Sequence, residues 1–293
     1  MKTNDVKRIT VVGAGQMGHQ IAMLCALGGY QTTLQDINQE ALQKAESNLE
    51  RLMSDWVKKG KLEESAKEKA FSLLTYTQQL EEAAKDADLV IEAIVEVLEV
   101  KQELFKKLDR ITPSHTILAT NSSTIMNSLI ASVTGRPENV CNMHFFFPPL
   151  VMDSVEVVMS EETSEVTAET VMEVCRKINR TAILLRKEIP GFVANRILGA
   201  IHREATSLYE EGIANFEDID LIVKKSLGHK LGPFELIDLS GADVVYAAMT
   251  HQYEESGDER ERPPACIKEK VDKGELGRKT GVGFYDYRQE AVK

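Results

Sequence analysis

Short apolar runs recur along the first part of the chain, and most are separated by longer stretches whose apolar residues fall three or four positions apart. Arg8–Val12, Thr32–Gln35, a run near Leu73–Thr75, Ala87–Ile91, Thr116–Ala119, Val140–His144, Ser154–Met159 and Thr181–Leu185 read as strands. Met17–Gly28 has helical spacing and stops at Gly28-Gly29. The alternation predicts an α/β fold with a doubly wound, mostly parallel sheet. One connection is too long for a single crossover helix. Ala41, Leu42, Ala45, Leu49, Leu52, Met53 and Trp56 mark one amphipathic helix, Lys58-Lys59-Gly60-Lys61 a turn, and Leu62, Ala66, Ala70 and Leu73 a second helix. A helical hairpin is therefore expected as an insertion at about 38–73.

After Ile189-Pro190-Gly191 the strand pattern ceases. Phe192–Glu211, Phe216–Leu227, Pro233–Ile237, Ala242–Glu255 and Pro264–Lys273 read as helices, with Gly212, Gly228, Gly257 and Gly274 as stops. Two domains are expected, a sheet-bearing one over 1–187 and an all-α one over 188–293, whose apolar faces suit a subunit contact.

Composition narrows the partners. The chain is 43% hydrophobic and 28% charged, as in a soluble globular protein, and its net charge of -11 disfavours nucleic acid or an anionic membrane as main partner. Cys25, Cys141, Cys175 and Cys266 are scattered and fit neither a disulfide framework nor a zinc pair, so reduced, mostly buried thiols are expected. Met1-Lys2-Thr3-Asn4-Asp5 is charged and leads straight into the first strand with no apolar leader segment. No apolar run is long enough to cross a bilayer, and a cytoplasmic location is expected.

Gly13-Ala14-Gly15-Gln16-Met17-Gly18 fits GxGxxG with a strand before it and a helix after it. In a Rossmann-type unit the first glycine permits the turn, the second lets a pyrophosphate reach backbone, and the third lets helix pack on strand. The helix N-terminus attracts the phosphates. Asp36 ends the second strand, where a carboxylate accepts ribose hydroxyls and repels a 2′-phosphate, so NAD is favoured over NADP.

Ala119-Thr120-Asn121-Ser122-Ser123-Thr124 closes another strand, at the end where open α/β sheets bind ligands. Its hydroxyls suit either a substrate oxygen or the cap of a helix beginning near Ile125. The strongest chemical signal follows. Glu156 lies among valines on a predicted strand, where an unpaired carboxylate is costly, and His144 returns across the Pro148-Pro149 bend to face it. An imidazole oriented by an acid is a general base suited to taking a proton from a hydroxyl while hydride leaves the same carbon. His19, His115, His202, His229 and His251 carry no such partner signal and read as ordinary polar residues.

At these residues the chain resembles the L-3-hydroxyacyl-CoA dehydrogenase (3-hydroxybutyryl-CoA dehydrogenase) family, from Arg8 to Tyr287. The resemblance implies NAD-dependent oxidation of an L-3-hydroxyacyl-CoA, short-chain such as 3-hydroxybutyryl-CoA, in fatty acid or butanoate metabolism, by a homodimer. It carries Gly13, Gly15, Gln16, Met17, Gly18 and Asp36 over as cofactor contacts. Val90-Ile91-Glu92-Ala93-Ile94-Val95-Glu96 followed by Lys101 is similar to the segment whose Glu and Lys contact NAD, which implies Glu96 and Lys101. Ser123 matches the hydroxyl at substrate and nicotinamide, His144 the base, Glu156 the orienting acid, and Asn195 the amide near the substrate oxygen. Gly277-Arg278-Lys279-Thr280-Gly281 resembles the closing motif, with Lys279 at the cofactor, and Lys59 of the hairpin turn is a candidate for the CoA phosphates.

One departure stands out: the family's His-Phe-Phe-Asn-Pro reads His144-Phe145-Phe146-Phe147-Pro148 here, which removes a polar contact at the nicotinamide end. One such hydrogen bond is worth about 1 kcal/mol, enough to change binding without abolishing the reaction. Two rivals remain open: a dehydrogenase of a free 3-hydroxy acid or sugar acid on the same fold, and a dinucleotide-binding structural or sensing protein with weak catalysis.

Overall fold

The computed structural model describes residues 6–288, so the expectation for residues 1–5 lies outside the described residues. Eight strands form one sheet: β1 (Arg8–Val12), β2 (Gln31–Gln35), β3 (Leu74–Thr77), β4 (Leu89–Glu92), β5 (Ile117–Thr120), β6 (Val140–Phe145), β7 (Ser154–Val158) and β8 (Thr181–Leu185). Their order is β3-β2-β1-β4-β5-β6-β7-β8, and every neighbouring pair is parallel except β6 with β7. The chain leaves β1 toward β2 on one side and returns to β4 on the other. This reversal opens a crevice at the carboxyl ends of β1 and β4, where such sheets bind ligands.

The central strands β1, β4 and β5 are mostly apolar and buried because both of their faces are covered, whereas the outer strands β2, β3 and β8 carry more polar or exposed residues. Side chains alternate between faces, so Val11 and Ile91 join one cluster while Val12 and Val90 join another. The first cluster packs under α1 (Gly18–Leu27), α2 (Gln39–Lys58), α3 (Glu64–Leu73) and α7 (Glu165–Lys177), through Ile21, Leu49, Ala70 and Val174 among others. The second packs under α4 (Leu80–Ala84), α5 (Leu98–Ile111) and α6 (Asn127–Ala131), through Ala84, Phe105, Leu108 and Ile130. The α2–α3 pair is the hairpin of the sequence pattern. Asn38 caps its start by accepting from the Glu40 and Ala41 amides, and Gly60 turns it at φ 64°.

Several bounds differ from the sequence pattern, among them β4, which begins at Leu89 rather than Ala87, and the helix from Pro233, which runs on to Ser240, while α4 was not expected. The third strand extends to Thr77, because Gln35 and Thr77 complete its ladder with β2. The helix expected from Ile125 begins only at Asn127, because the preceding residues are committed to side-chain bonds described below.

Backbone contacts divide the chain into a unit ending at Phe192 and one beginning at Val193. The second contains most of α8 (Phe192–Glu210), then α9 (Phe216–Ser226), α10 (Pro233–Ser240), α11 (Ala242–Ser256) and α12 (Ala265–Asp272). Its core joins Phe234, Ile237, Ile267 and Phe284 to Tyr209, Phe216 and Tyr285. Among the described residues no helix is long and apolar enough to cross a membrane.

Candidate active site

The glycine-rich turn follows β1. A Cβ on Gly18 would stand 1.8 Å from the Gly13 carbonyl oxygen and one on Gly13 2.6 Å from that of Ala93, so both glycines are required by close packing. A Cβ on Gly15 would meet nothing within 4 Å among the described residues. That open ground beside bare backbone, over the first turn of α1, suits a pyrophosphate, and the chain's residues therefore fit a dinucleotide. The Gln16 carbonyl accepts from the Gln20 side chain, and Met17 packs against the core. Asp36 has a task the sequence did not reveal. One of its oxygens accepts from the Ala14 amide at 2.7 Å and the other from the Asn38 amide at 2.9 Å, which pins the turn to the end of β2. Each oxygen keeps a second lone pair for a ribose hydroxyl.

His144 and Glu156 are directly opposed on the antiparallel pair β6 and β7, which brings their side chains to one face. Both are buried, and His144 Nδ1 lies 2.9 Å from Glu156 Oε2. The carboxylate accepts, so Nδ1 carries the hydrogen and Nε2 is left as acceptor. The Ser123 hydroxyl is 3.1 Å from that Nε2. Imidazole, carboxylate and hydroxyl thus come together from β6, β7 and the turn after β5. Asn121 and Asn142 tie these elements: the Phe145 amide donates to Asn121 Oδ1 at 2.9 Å, and Asn142 Nδ2 donates to the Ser122 carbonyl at 2.9 Å.

Behind Ser123 lies a charged cluster. Glu96 accepts from the Ser122 hydroxyl, from the Ser123 and Thr124 amides at 3.0 Å each, and from the Thr124 hydroxyl at 3.0 Å. Burial alone raises its pKa, but the Lys101 ammonium and these hydrogen bonds outweigh burial and hold the carboxyl down at about 2. Lys101 is only 1% exposed and sits between two acids, 2.5 Å from Glu92 and 3.2 Å from Glu96. Glu92, fully buried at the end of β4, also accepts from the Ile94 amide and the Thr120 hydroxyl, each at 2.7 Å. A buried ion pair adds little net stability, but it fixes geometry. Here it fixes the loop that carries Ser123.

The bend after His144 is held as firmly. The Arg180 guanidinium donates to the Pro149 and Leu150 carbonyls at 3.0 Å, and Gln20 Oε1 accepts from the Leu150 amide at 3.3 Å. Phe147, on that bend, is 58% exposed.

The remaining candidates stand on other elements. Lys59 is exposed at the C-terminal cap of α2, consistent with the hairpin turn expected for it. Asn195 is exposed in the first turn of α8. Lys279 pairs with Asp243 at 2.5 Å within the helical unit. Glu92 escaped the sequence reading, although a glutamate at the end of an apolar strand is the same signal that marked Glu156. Asn121 and Asn142 carried no signal, since an asparagine at a strand end is usually a turn residue.

Residues 8–189 match the NAD binding domain of 3-hydroxyacyl-CoA dehydrogenase, and residues 191–287 match its C-terminal domain. A probable 3-hydroxybutyryl-CoA dehydrogenase of Bacillus subtilis (strain 168) is 41% identical over 98% of this chain and 99% of its own length. The crystal structure of (S)-3-hydroxybutyryl-CoA dehydrogenase from Ralstonia eutropha superposes with a TM-score of 0.90 at 35% identity, over 97% of this chain and 99% of that one. A diketoreductase described in dual catalysis of dicarbonyl compounds superposes at 0.88 with 36% identity, over 96% of this chain and 99% of its own. With both domains matched in order and relatives similar over nearly their whole length, the chain belongs to the 3-hydroxyacyl-CoA dehydrogenase family.

Proposed function

We propose that this protein catalyses the reversible, NAD-linked oxidation of an L-3-hydroxyacyl-CoA, of short acyl chain such as 3-hydroxybutyryl-CoA, to the 3-ketoacyl-CoA. The observation that carries the proposal is the imidazole of His144, with Nδ1 on a buried carboxylate and Nε2 left as acceptor beside a serine hydroxyl. The chemistry NAD supplies when bound is acceptance of the hydride from C3. The chain's residues handle the proton. Nε2 of His144 takes it from the C3 hydroxyl, the charge of Glu156 stabilises the resulting imidazolium, and the Ser123 hydroxyl orients the oxygen. In the reverse direction the same imidazolium returns the proton to the ketone oxygen.

Asn195 is assigned to the substrate oxygen, Lys59 to the CoA phosphates and Lys279 to the cofactor. Gly13, Gly15, Gln16, Met17, Gly18, Asp36, Glu96 and Lys101 form or support the NAD site, with Lys101 acting from behind Glu96. The domains are assigned as 1–187 and 188–293, a border five residues before the division of backbone contacts at Phe192. The helical domain serves the substrate and the contact of a homodimer, for which the exposed Leu221, Ile222 and Val244 are suited. The enzyme works in the cytoplasm, in fatty acid or butanoate metabolism.

A second reading, action on a free acid or dicarbonyl, draws support from the similarity to the diketoreductase. Rates of NADH oxidation with acetoacetyl-CoA and with free acetoacetate decide between them. The proposal expects turnover with the thioester. Preference for the free acid would defeat the CoA assignment, and tight NADH binding without turnover of either would defeat the catalytic one.

A further inference from the structure

Phe192 is an outlier in three respects. Its backbone is left-handed at φ 47°, a conformation that is strained for a bulky residue. Its side chain is only 1% exposed, in a cluster with Val158 and Leu185 at the ends of β7 and β8. Its ring centroid lies 5.3 Å from that of His144, tilted by 54°. Val158 is two residues beyond Glu156 on the same strand, so Phe192 packs on the face that carries the orienting acid. Phe146 meets the imidazole edge-on at 4.7 Å. Glu156 and Ser123 fix the imidazole within its plane through its two nitrogens, and the aromatic rings limit how that plane can tip.

We infer that Phe192 is a positioning residue for His144, its strained backbone retained because only that conformation sets its ring against the imidazole. Phe192 is also the residue at which the sheet-bearing unit ends and α8 begins. The orientation of the base is therefore tied to the conformation of one residue at the domain junction. This rests on the reading of His144 as the base.

The test compares Phe192→Gly, Phe192→Ala and Phe192→Leu in the full chain. Glycine adopts a left-handed backbone freely and alanine does not, so the glycine variant should melt higher than the alanine variant. If the ring positions the base, both lose kcat alike, roughly tenfold or more, with KM for NADH and acetoacetyl-CoA changed less than about threefold. Phe192→Leu, which restores apolar volume, recovers part of the loss. Turnover that instead follows the melting order, with the glycine variant near parental, would overturn the inference, as would a change confined to KM. The His144 Nδ1–H resonance in nitrogen-edited NMR gives a readout independent of turnover. It is expected to be protected from solvent exchange in the parent and lost in the glycine and alanine variants. Should the parent fail to turn over acetoacetyl-CoA, the functional reading fails while this signal still decides on Phe192. An unchanged signal in all variants would refute the positioning role.

Discussion

In the helical unit Asp220 and Asp238 are as deeply buried as Glu92 and Glu156 are in the sheet-bearing unit, yet their partners differ in kind. Asp238 accepts from the Phe284 and Tyr285 amides at 2.9 Å each, and Asp220 accepts from the Phe234 and Glu235 amides and from the Tyr285 hydroxyl. Those carboxylates tie backbone to backbone and close the aromatic core. Glu156 holds an imidazole whose far nitrogen is left as acceptor, and Glu92 holds a lysine that steadies the serine loop. A buried acid spent on amides is architecture. A buried acid spent on a histidine or a lysine is retained for chemistry or for positioning it.

The comparison breaks first at His144. Changing it to Gln should lower turnover with acetoacetyl-CoA by about 10³-fold, since a positioned base contributes on that order, while the dissociation constant for NADH, read by fluorescence titration, stays within about twofold. Near-parental turnover would remove His144 from the mechanism.

Acid should act next, and on the helical unit. Burial holds the His202 imidazole at about 4, against an ordinary 6.5, and its buried Nε2 has no hydrogen-bond partner among the described residues. Between these values the unfolded chain binds a proton that the folded chain refuses. This contribution is therefore complete above pH 6.5 and is lost as pH falls toward 4, by about 3 kcal/mol. Urea denaturation of the parent and of His202→Leu at both ends of the window measures it, and the variant should lose less.

Glu156→Gln keeps an acceptor for Nδ1–H but removes the charge that stabilises the imidazolium. Turnover should fall by about a hundredfold with little change in melting temperature. Asp238→Ala should do the opposite: two amides lose their acceptor, water restores part of the loss, and stability drops by about 2 kcal/mol with kcat unchanged at low temperature. If Asp238→Ala lowered kcat and Glu156→Gln only stability, the division between the two units would be reversed. The smallest effect belongs to Glu96. Its carboxyl is held down at about 2, so its contribution is present above 4.5 and is lost as pH falls toward 2. With 38% of the side chain exposed, solvent screening leaves about 1 kcal/mol or less, which Glu96→Gln should remove from the acid limb of the denaturation profile.

Periodicity and local chemistry account for what could be read without coordinates. The eight strands, the hairpin at α2 and α3 and the helical second part follow from apolar spacing with Gly punctuation, both of which are local. The glycine turn was legible because its motif needs only the flanking strand and helix. The pair His144 and Glu156 was legible because the bend between two short strands makes their meeting nearly local as well. Asp36 with Ala14 and Asn121 with Phe145 were not, because each depends on strands that are neighbours in the sheet without being joined by a tight turn.

What the sequence determined by itself is therefore the set of elements and the pairing of one imidazole with one carboxylate, both products of short-range spacing. The strand order that opens a crevice between β1 and β4, the burial of Lys101 between two carboxylates and the wedge of Phe192 against the imidazole belong to the tertiary structure alone. They arise because sheet pairing brings distant segments together, and only there do burial and desolvation turn ordinary side chains into constraints on one another.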